Sequence, residues 1–67
     1  MKLQNQQIII QNPGDGTTIK NVRRTVHAIE NDGEVETGVI QIGIERYRVS
    51  RSSASPTWYG NAIDLIR

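Results

Sequence analysis

Several residue types that stabilise small proteins or carry out catalysis are absent or scarce in this chain. Its 67 residues include no cysteine, no phenylalanine and one histidine. Disulfides and thiolate metal sites are therefore excluded, and a structural zinc site lacks its usual ligands. A chain of this length buries only about 60% of the surface that its unfolded form exposes. We predict no metal and no cofactor, and association with other copies as the remaining source of stability.

The sequence also lacks the features of a membrane protein and of an enzyme. No apolar run is long enough to span a bilayer, and residues 1–7 lack the apolar core of a signal peptide, so we predict a cytoplasmic protein without membrane contact. No serine has a convincing catalytic partner. His27 is predicted to face solvent, and nothing on an exposed hairpin would raise the pKa of Glu34 or Glu36. We predict no enzymatic activity.

A period-two pattern fills residues 38–51 and breaks in the middle. Its first half has one apolar parity, which is typical of a strand with a buried face: Ile40, Ile42 and Ile44. After Glu45 the apolar parity changes to Tyr47 and Val49. A β-bulge at residues 45–46 would return both to the core and turn the neighbouring arginines outward. A strand that crosses from one sheet to another is the alternative.

The preceding segment must match this pattern. Residues 17–30 have apolar spacings that suit a helix, but their many β-branched residues favour a strand, which we prefer. In the turn at Asn31–Gly33, a two-residue loop would place arginine and threonine opposite the isoleucines. A three-residue loop shifts the register by one and puts Val22, Val26 and Ala28 on the isoleucine face. We therefore predict the three-residue loop.

The two ends of the chain are predicted to be strands as well. Residues 3–11 have no charge between Lys2 and Asp15, so this strand either pairs inside its own sheet or forms an oligomer edge. The edge residues would be Ile8, Ile9 and Ile10. Residues 57–66 suit a short closing strand, with a helical turn after Pro56 as the alternative. Trp58 would close one end of the core, unless it is an exposed binding residue.

Opposite charges gather in different places along the sequence. The acidic residues surround one hairpin tip: Glu30, Asp32, Glu34 and Glu36. The arginines follow the phase break or lie in the strand alongside: Arg23, Arg24, Arg46, Arg48 and Arg51. Arg24 falls on the apolar parity, so it must reach an edge or a partner. Besides a merely solvated surface, the layout suggests head-to-tail stacking of copies or a nucleic-acid interface with Tyr47 and Trp58 as stacking surfaces.

The C-terminal third contains Tyr47-Arg48-Val49-Ser50, then Pro56, Tyr59-Gly60 and Ile63. In this pattern it resembles small β-rich head–tail adaptor (neck) proteins of tailed phages. The resemblance implies a β-barrel subunit in a ring at the virion neck. Adaptors of this kind are usually longer, and the matching motif is short.

Together these observations predict one domain, residues 1–67, that is all-β: a small antiparallel barrel or strongly bent sheet, with at most one short helix. Its predicted role is a non-catalytic assembly subunit that forms a homo-oligomer or meets other structural proteins. Nucleic-acid binding is the second hypothesis, and regulation or inhibition of a host protein the third. The predicted contact residues are Arg24, Arg46, Tyr47, Arg48, Arg51 and Trp58, together with the edge Ile8–Ile10.

Overall fold

The computed structural model describes residues 2–66, which form six strands and one 3₁₀ turn. The strands are β1 (Leu3–Gln11), β2 (Thr18–Asp32), β3 (Val35–Ile42), β4 (Glu45–Ser52), β5 (Thr57–Asn61) and β6 (Leu65–Ile66). The 3₁₀ turn, Ala62–Asp64, separates β5 from β6. The segment predicted at residues 17–30 is therefore strand from Thr18 onward, as preferred over a helix. The segment after Pro56 is strand, as preferred, and the expected helical turn does not follow Pro56, since the 3₁₀ turn lies at Ala62–Asp64.

Strands β1 to β5 close into a barrel, which confirms the predicted fold class. Each strand is antiparallel to the next one along the chain. In such a meander the first and fifth strands run in the same direction, so closure requires a parallel pair. That pair is Gln7–Gln11 with Thr57–Asn61. Strand β6 adds to β4 beside Arg46 and Tyr47.

The core contains seven buried hydrophobic side chains from all five barrel strands. They are Ile8, Ile10, Val26, Ile40, Tyr47, Val49 and Trp58. Strand β1 lies in the middle of the sheet, between β2 and β5. The prediction that Ile8, Ile9 and Ile10 form an oligomer edge is therefore wrong. Both edges of these residues are already hydrogen-bonded within the chain, and two of the three isoleucines are core residues.

The phase break in residues 38–51 is a hairpin turn, and the predicted bulge at residues 45–46 is wrong. Ile42 pairs with Glu45, so the turn contains only Gly43 and Ile44. Gly43 has φ +61°, as the first central residue of a type II′ turn requires. Ile44, expected in the core, is 98% exposed at the tip. The two parities belong to two antiparallel strands, which need no common phase.

The β2–β3 ladder has a bulge in β2 instead. The β2–β3 loop has two residues, because Asp32 pairs with Val35; the predicted three-residue loop is wrong. The register then shifts by one residue between His27 and Glu30, where Ala28 has φ +53°. This shift places Val26 on the same side as Ile40, as the apolar pattern required. The one-residue shift of register that the apolar pattern requires is therefore present, but it comes from a bulge in β2 and not from a longer loop.

Candidate contact surface on strands β2 to β4

Two arginines stand on the outer face of the β3–β4 hairpin. Arg46 lies opposite Gln41 and Arg48 opposite Val39, and both arginines are exposed. The inward positions between and after them belong to Tyr47 and Val49, so the alternation of β4 directs both cations away from the core. The ion pairs found among residues 2–66 include neither arginine. Both guanidinium groups are therefore available to a partner.

The first half of β2 adds further positive charge near the same end of the barrel. Arg23 is exposed and donates a hydrogen bond from Nη1 to the carbonyl oxygen of Asn5, at 3.2 Å. Arg24 is half-buried and donates from Nη1 to the carbonyl oxygen of Arg23, at 2.7 Å. Arg24 was predicted to reach an edge or a partner, and its guanidinium group does reach the protein surface. We call Arg23, Arg24, Arg46 and Arg48 the basic face.

Two hollows adjoin the basic face. The first, about 340 Å³, opens where β2 and β3 separate, and its lining includes His27, Ala28, Gln41 and Arg46. The second, about 400 Å³, contains Arg48 and Tyr59 together with two carboxylates: Glu30 and Asp64. Each is as large as an ordinary ligand pocket but open to solvent. Their mixed apolar and charged linings suit a protein partner better than a compact small molecule.

Arg51, predicted as a contact residue, is engaged inside the subunit. Its Nε donates to Oε1 of Glu36 at 3.0 Å, and the two side chains are 20% and 14% exposed. Its guanidinium carbon lies 4.8 Å from the centroid of the Trp58 ring, a cation–π geometry. Glu36 and Arg51 are opposite each other in the β3–β4 register, which explains the pairing. The assignment of Arg51 to the contact surface is therefore wrong.

The two aromatic residues predicted to make contacts are in the core. Trp58 has no exposed surface, and its Nε1 donates to Oε1 of Gln6 at 3.3 Å. Tyr47 is 5% exposed. Burial, followed by the charge of Glu45, raises the pKa of the Tyr47 hydroxyl. Neither side chain offers a face to an external ligand, so their assignment as contact residues is wrong.

Tyr59 is the exposed aromatic residue, although it was not among the predicted contact residues. It is 42% exposed, since it follows inward-facing Trp58 in β5 and must point outward. The alternation Trp58-Tyr59-Gly60 could have indicated this. Gly60 is buried, so Trp58 and Gly60 share the core parity and Tyr59 the outer one. The accessible aromatic surface lies beside Arg48 in the second hollow.

The acidic hairpin tip keeps most of its charge exposed. Glu30, Asp32 and Glu34 are all exposed at the end of the β2–β3 hairpin, while Glu36 is in the ion pair with Arg51. Because the β3–β4 turn lies at the opposite end of β3, Arg46 is far along the hairpin from this tip. Arg48 is nearer, since it lines the second hollow together with Glu30.

Other kinds of site were sought in the same region. His27 is exposed on β2. Within residues 2–66, no three histidine, aspartate or glutamate side chains are grouped so that they could hold a metal ion. No helix in that part of the chain is long and apolar enough to cross a membrane.

Comparison with known proteins adds no family to this description. No protein-family model matches the chain, and neither a curated protein nor a solved structure matches it. The chain is thus defined by its own geometry as a small closed β-barrel with a basic face on one wall. The resemblance to phage adaptors stays a prediction.

Proposed function

We propose that this chain is a non-catalytic assembly subunit that forms a homo-oligomer through the basic face. The observation that carries the proposal is the exposure of Arg46 and Arg48 beside Val39 and Tyr59, above two open hollows. Arginine and tyrosine are the residue types that interfaces enrich and that contribute most to their binding energy. A surface that combines them with apolar residues is suited to another protein surface.

The small core supports the same proposal. Seven hydrophobic residues are buried among residues 2–66, and the sequence has no cysteine that could form a disulfide. Folded domains of this size commonly depend on a further source of stability, of which association is one. Exposed acidic groups at the β2–β3 tip supply charge complementary to the basic face within identical copies. Complementary charge would orient the copies more than it would tighten them.

Nucleic-acid binding is the weaker hypothesis. Single-strand binding grooves combine positive charge with aromatic side chains on which bases stack. Trp58 and Tyr47 are buried and Arg51 is paired, so three of the residues expected to make that interface are committed to the fold. A regulator that binds a host protein would use the same exposed residues. The phage setting rests on the resemblance in sequence alone.

The test is the mass of the protein in solution, measured by light scattering across a range of concentrations. We expect a stable oligomer, and we expect the double variant Arg46→Glu, Arg48→Glu to run as a monomer that keeps the wild-type circular dichroism spectrum. Asp15→Lys, a charge reversal at an exposed residue of the turn between β1 and β2, is the control and should leave the oligomer intact.

Binding to DNA is measured on the same samples. A wild-type protein that is monomeric at every concentration and binds DNA with a steep salt dependence would contradict the assembly proposal and support the nucleic-acid hypothesis. An oligomer that ignores DNA would exclude that hypothesis.

A further inference from the structure

Strand β2 has different partners along its two halves. Its first half, up to Val26, pairs with β1, and its second half, from His27, pairs with β3. Because β1 and β3 lie on opposite sides of β2, each half has one edge that faces away from its partner. Strand β2 has 15 residues, which is long for this barrel. Because it changes partner in its middle, each half has one edge without a paired strand among residues 2–66.

The edge of the first half is basic. Pairing with β3 stops at His27 and Val39, and in that register the last residue of β3, Ile42, would reach only Arg24. Thr18–Arg23 therefore extend past the end of β3, over about 20 Å at 3.3 Å per residue. The basic side chains along this edge are Lys20, which is half-buried, and Arg23, which is exposed. The unpaired N–H and C=O groups of such an edge are a template for another strand.

The edge of the second half is acidic. Pairing with β1 ends at Leu3 and Val26, and among residues 2–66 no strand lies on the β1 side of Glu30–Asp32. This edge includes the exposed carboxylates of Glu30 and Asp32. The bulge at Ala28 separates the two halves and bends the strand between them. One strand therefore carries a basic edge and an acidic edge on opposite sides.

Charge decides how two copies can use these edges. Pairing two basic edges would set Lys20 and Arg23 against their own copies, and pairing two acidic edges would oppose carboxylates. Like charges directly opposite in a sheet are destabilising, and unlike charges stabilise. The arrangement that remains is a basic edge of one copy beside an acidic edge of the next.

We propose that the occupant of the basic β2 edge is the acidic β2 edge of a second copy, so that the sheets of neighbouring subunits become continuous. The contact is heterologous, since different surfaces meet, and it repeats from copy to copy into a ring or a filament. This inference rests on the proposed assembly function and specifies its partner. The basic edge adjoins Arg46, so the same end of the barrel takes part in both.

The experiment exchanges charges on one edge at a time. The first variant, Lys20→Glu with Arg23→Glu, carries two acidic edges; the second, Glu30→Lys with Asp32→Lys, carries two basic ones. We expect each alone to fall to monomer mass and an equimolar mixture to assemble again, because copies of the two variants that alternate join unlike edges at every contact. Raised salt should weaken the mixed oligomer. Lys20→Arg with Arg23→Lys keeps the charge and should assemble like wild type.

The outcomes separate this inference from the proposed function. If wild type is oligomeric and both charge-reversed variants keep that mass, the β2 edges are not the contact, although the assembly function stands. Folded monomeric variants that do not recover when mixed would also overturn the pairing of unlike edges. A wild-type protein that is monomeric throughout contradicts the assembly function itself. Circular dichroism of each variant shows whether a lost oligomer reflects unfolding.

Discussion

The two sides of the barrel are built differently. On the closed side, β1 and β5 pair without interruption over five residues each, Gln7–Gln11 with Thr57–Asn61, and Trp58 is entirely buried beneath them. On the open side, the β2–β3 ladder is broken by a bulge, and a hollow of about 340 Å³ lies where the strands separate. The closed side has uninterrupted strand pairing, and the open side has accessible polar groups beside its bulge. Stability and contact are thus divided between two parts of one small sheet.

The arginines of β4 show the same division within one strand. Arg51, near the closed side, is held by Glu36 and lies over the Trp58 ring. Arg48, three residues earlier, is exposed above the second hollow. Identical side chains in one strand thus have different roles because their neighbours differ. The predictions below test this division, from the largest expected effect to the smallest.

The largest expected loss of stability comes from Gly60→Ala, on the closed side. An added Cβ would lie 2.8 Å from the carbonyl oxygen of Arg48 and 3.1 Å from Cδ1 of Ile10. The nearest atom belongs to the backbone, so a strand must move; overpacking of this kind costs about 1–3 kcal/mol. Chemical denaturation should show a loss of about 1–3 kcal/mol in the free energy of unfolding.

Gly14→Ala is the matched control. In this turn the nearest atom to an added Cβ is Oδ1 of Asn12, at 3.4 Å, and Gly14 has no positive φ. Its effect should stay within about 0.5 kcal/mol. Equal losses of unfolding free energy in both variants would mean that Gly60 is not tightly packed against Arg48 and Ile10.

Local patterns predicted which residues face inward better than they predicted how strands connect. The alternations around Ile40 and around Tyr47 and Val49 identified core residues correctly, because period two is a property of each strand alone. The connection between them was wrong. A Gly-Ile pair is a weak turn signal, since an isoleucine at a tip is normally a core residue, and only the paired register reveals the hairpin.

The candidate contacts divide for a similar reason. The outward direction of Arg46 and Arg48 followed from parity. The commitment of Arg51 to Glu36 required knowledge of which residues stand opposite each other across β3 and β4. Whether Ile8 and Ile10 lie in the core or at an oligomer edge also depends on the position of β1 in the sheet, because an uncharged strand can be central or at an edge. Pairing between distant segments is what sequence periodicity leaves open.

The arginines of β4 should differ when each is replaced by methionine. Arg51→Met removes a partly buried ion pair and a cation–π contact and should lower the free energy of unfolding by about 1–2 kcal/mol. Arg48→Met should change it by less than about 0.5 kcal/mol, since the side chain is exposed and is in none of the ion pairs of residues 2–66. Thermal and urea unfolding of the two variants, measured where both are monomeric, provide the comparison. Equal losses would contradict the division of roles within β4.

The bulge on the open side should be stabilised by Ala28→Gly. Ala28 has φ +53°, a conformation that costs a non-glycine residue about 1–2 kcal/mol. Glycine removes that strain but adds about 0.5–1 kcal/mol of entropy loss on folding. The expected net gain is about 0.5 kcal/mol in the free energy of unfolding.

Ala54→Gly is the control with the opposite sign. Ala54 is also exposed and does not have a positive φ, so glycine there brings only the entropic loss. Destabilisation by both substitutions would show that the bulge is not strained.

The smallest expected effect is on stability at alkaline pH, and it comes from Tyr47 in the β3–β4 hairpin. Burial and the charge of Glu45 raise the pKa of this hydroxyl above its ordinary value near 10, so the folded state favours the protonated phenol. Its contribution to stability is therefore complete below about pH 10 and is lost as the pH rises through the higher folded pKa. Tyr47→Phe should show a shallower decline of stability above pH 10 than wild type, measured by urea unfolding at several pH values. Glu45→Gln should lower the pKa of Tyr47 but leave it raised, because burial is the larger cause. An unchanged alkaline slope in Tyr47→Phe would show that this buried phenol does not set the alkaline limit of the barrel.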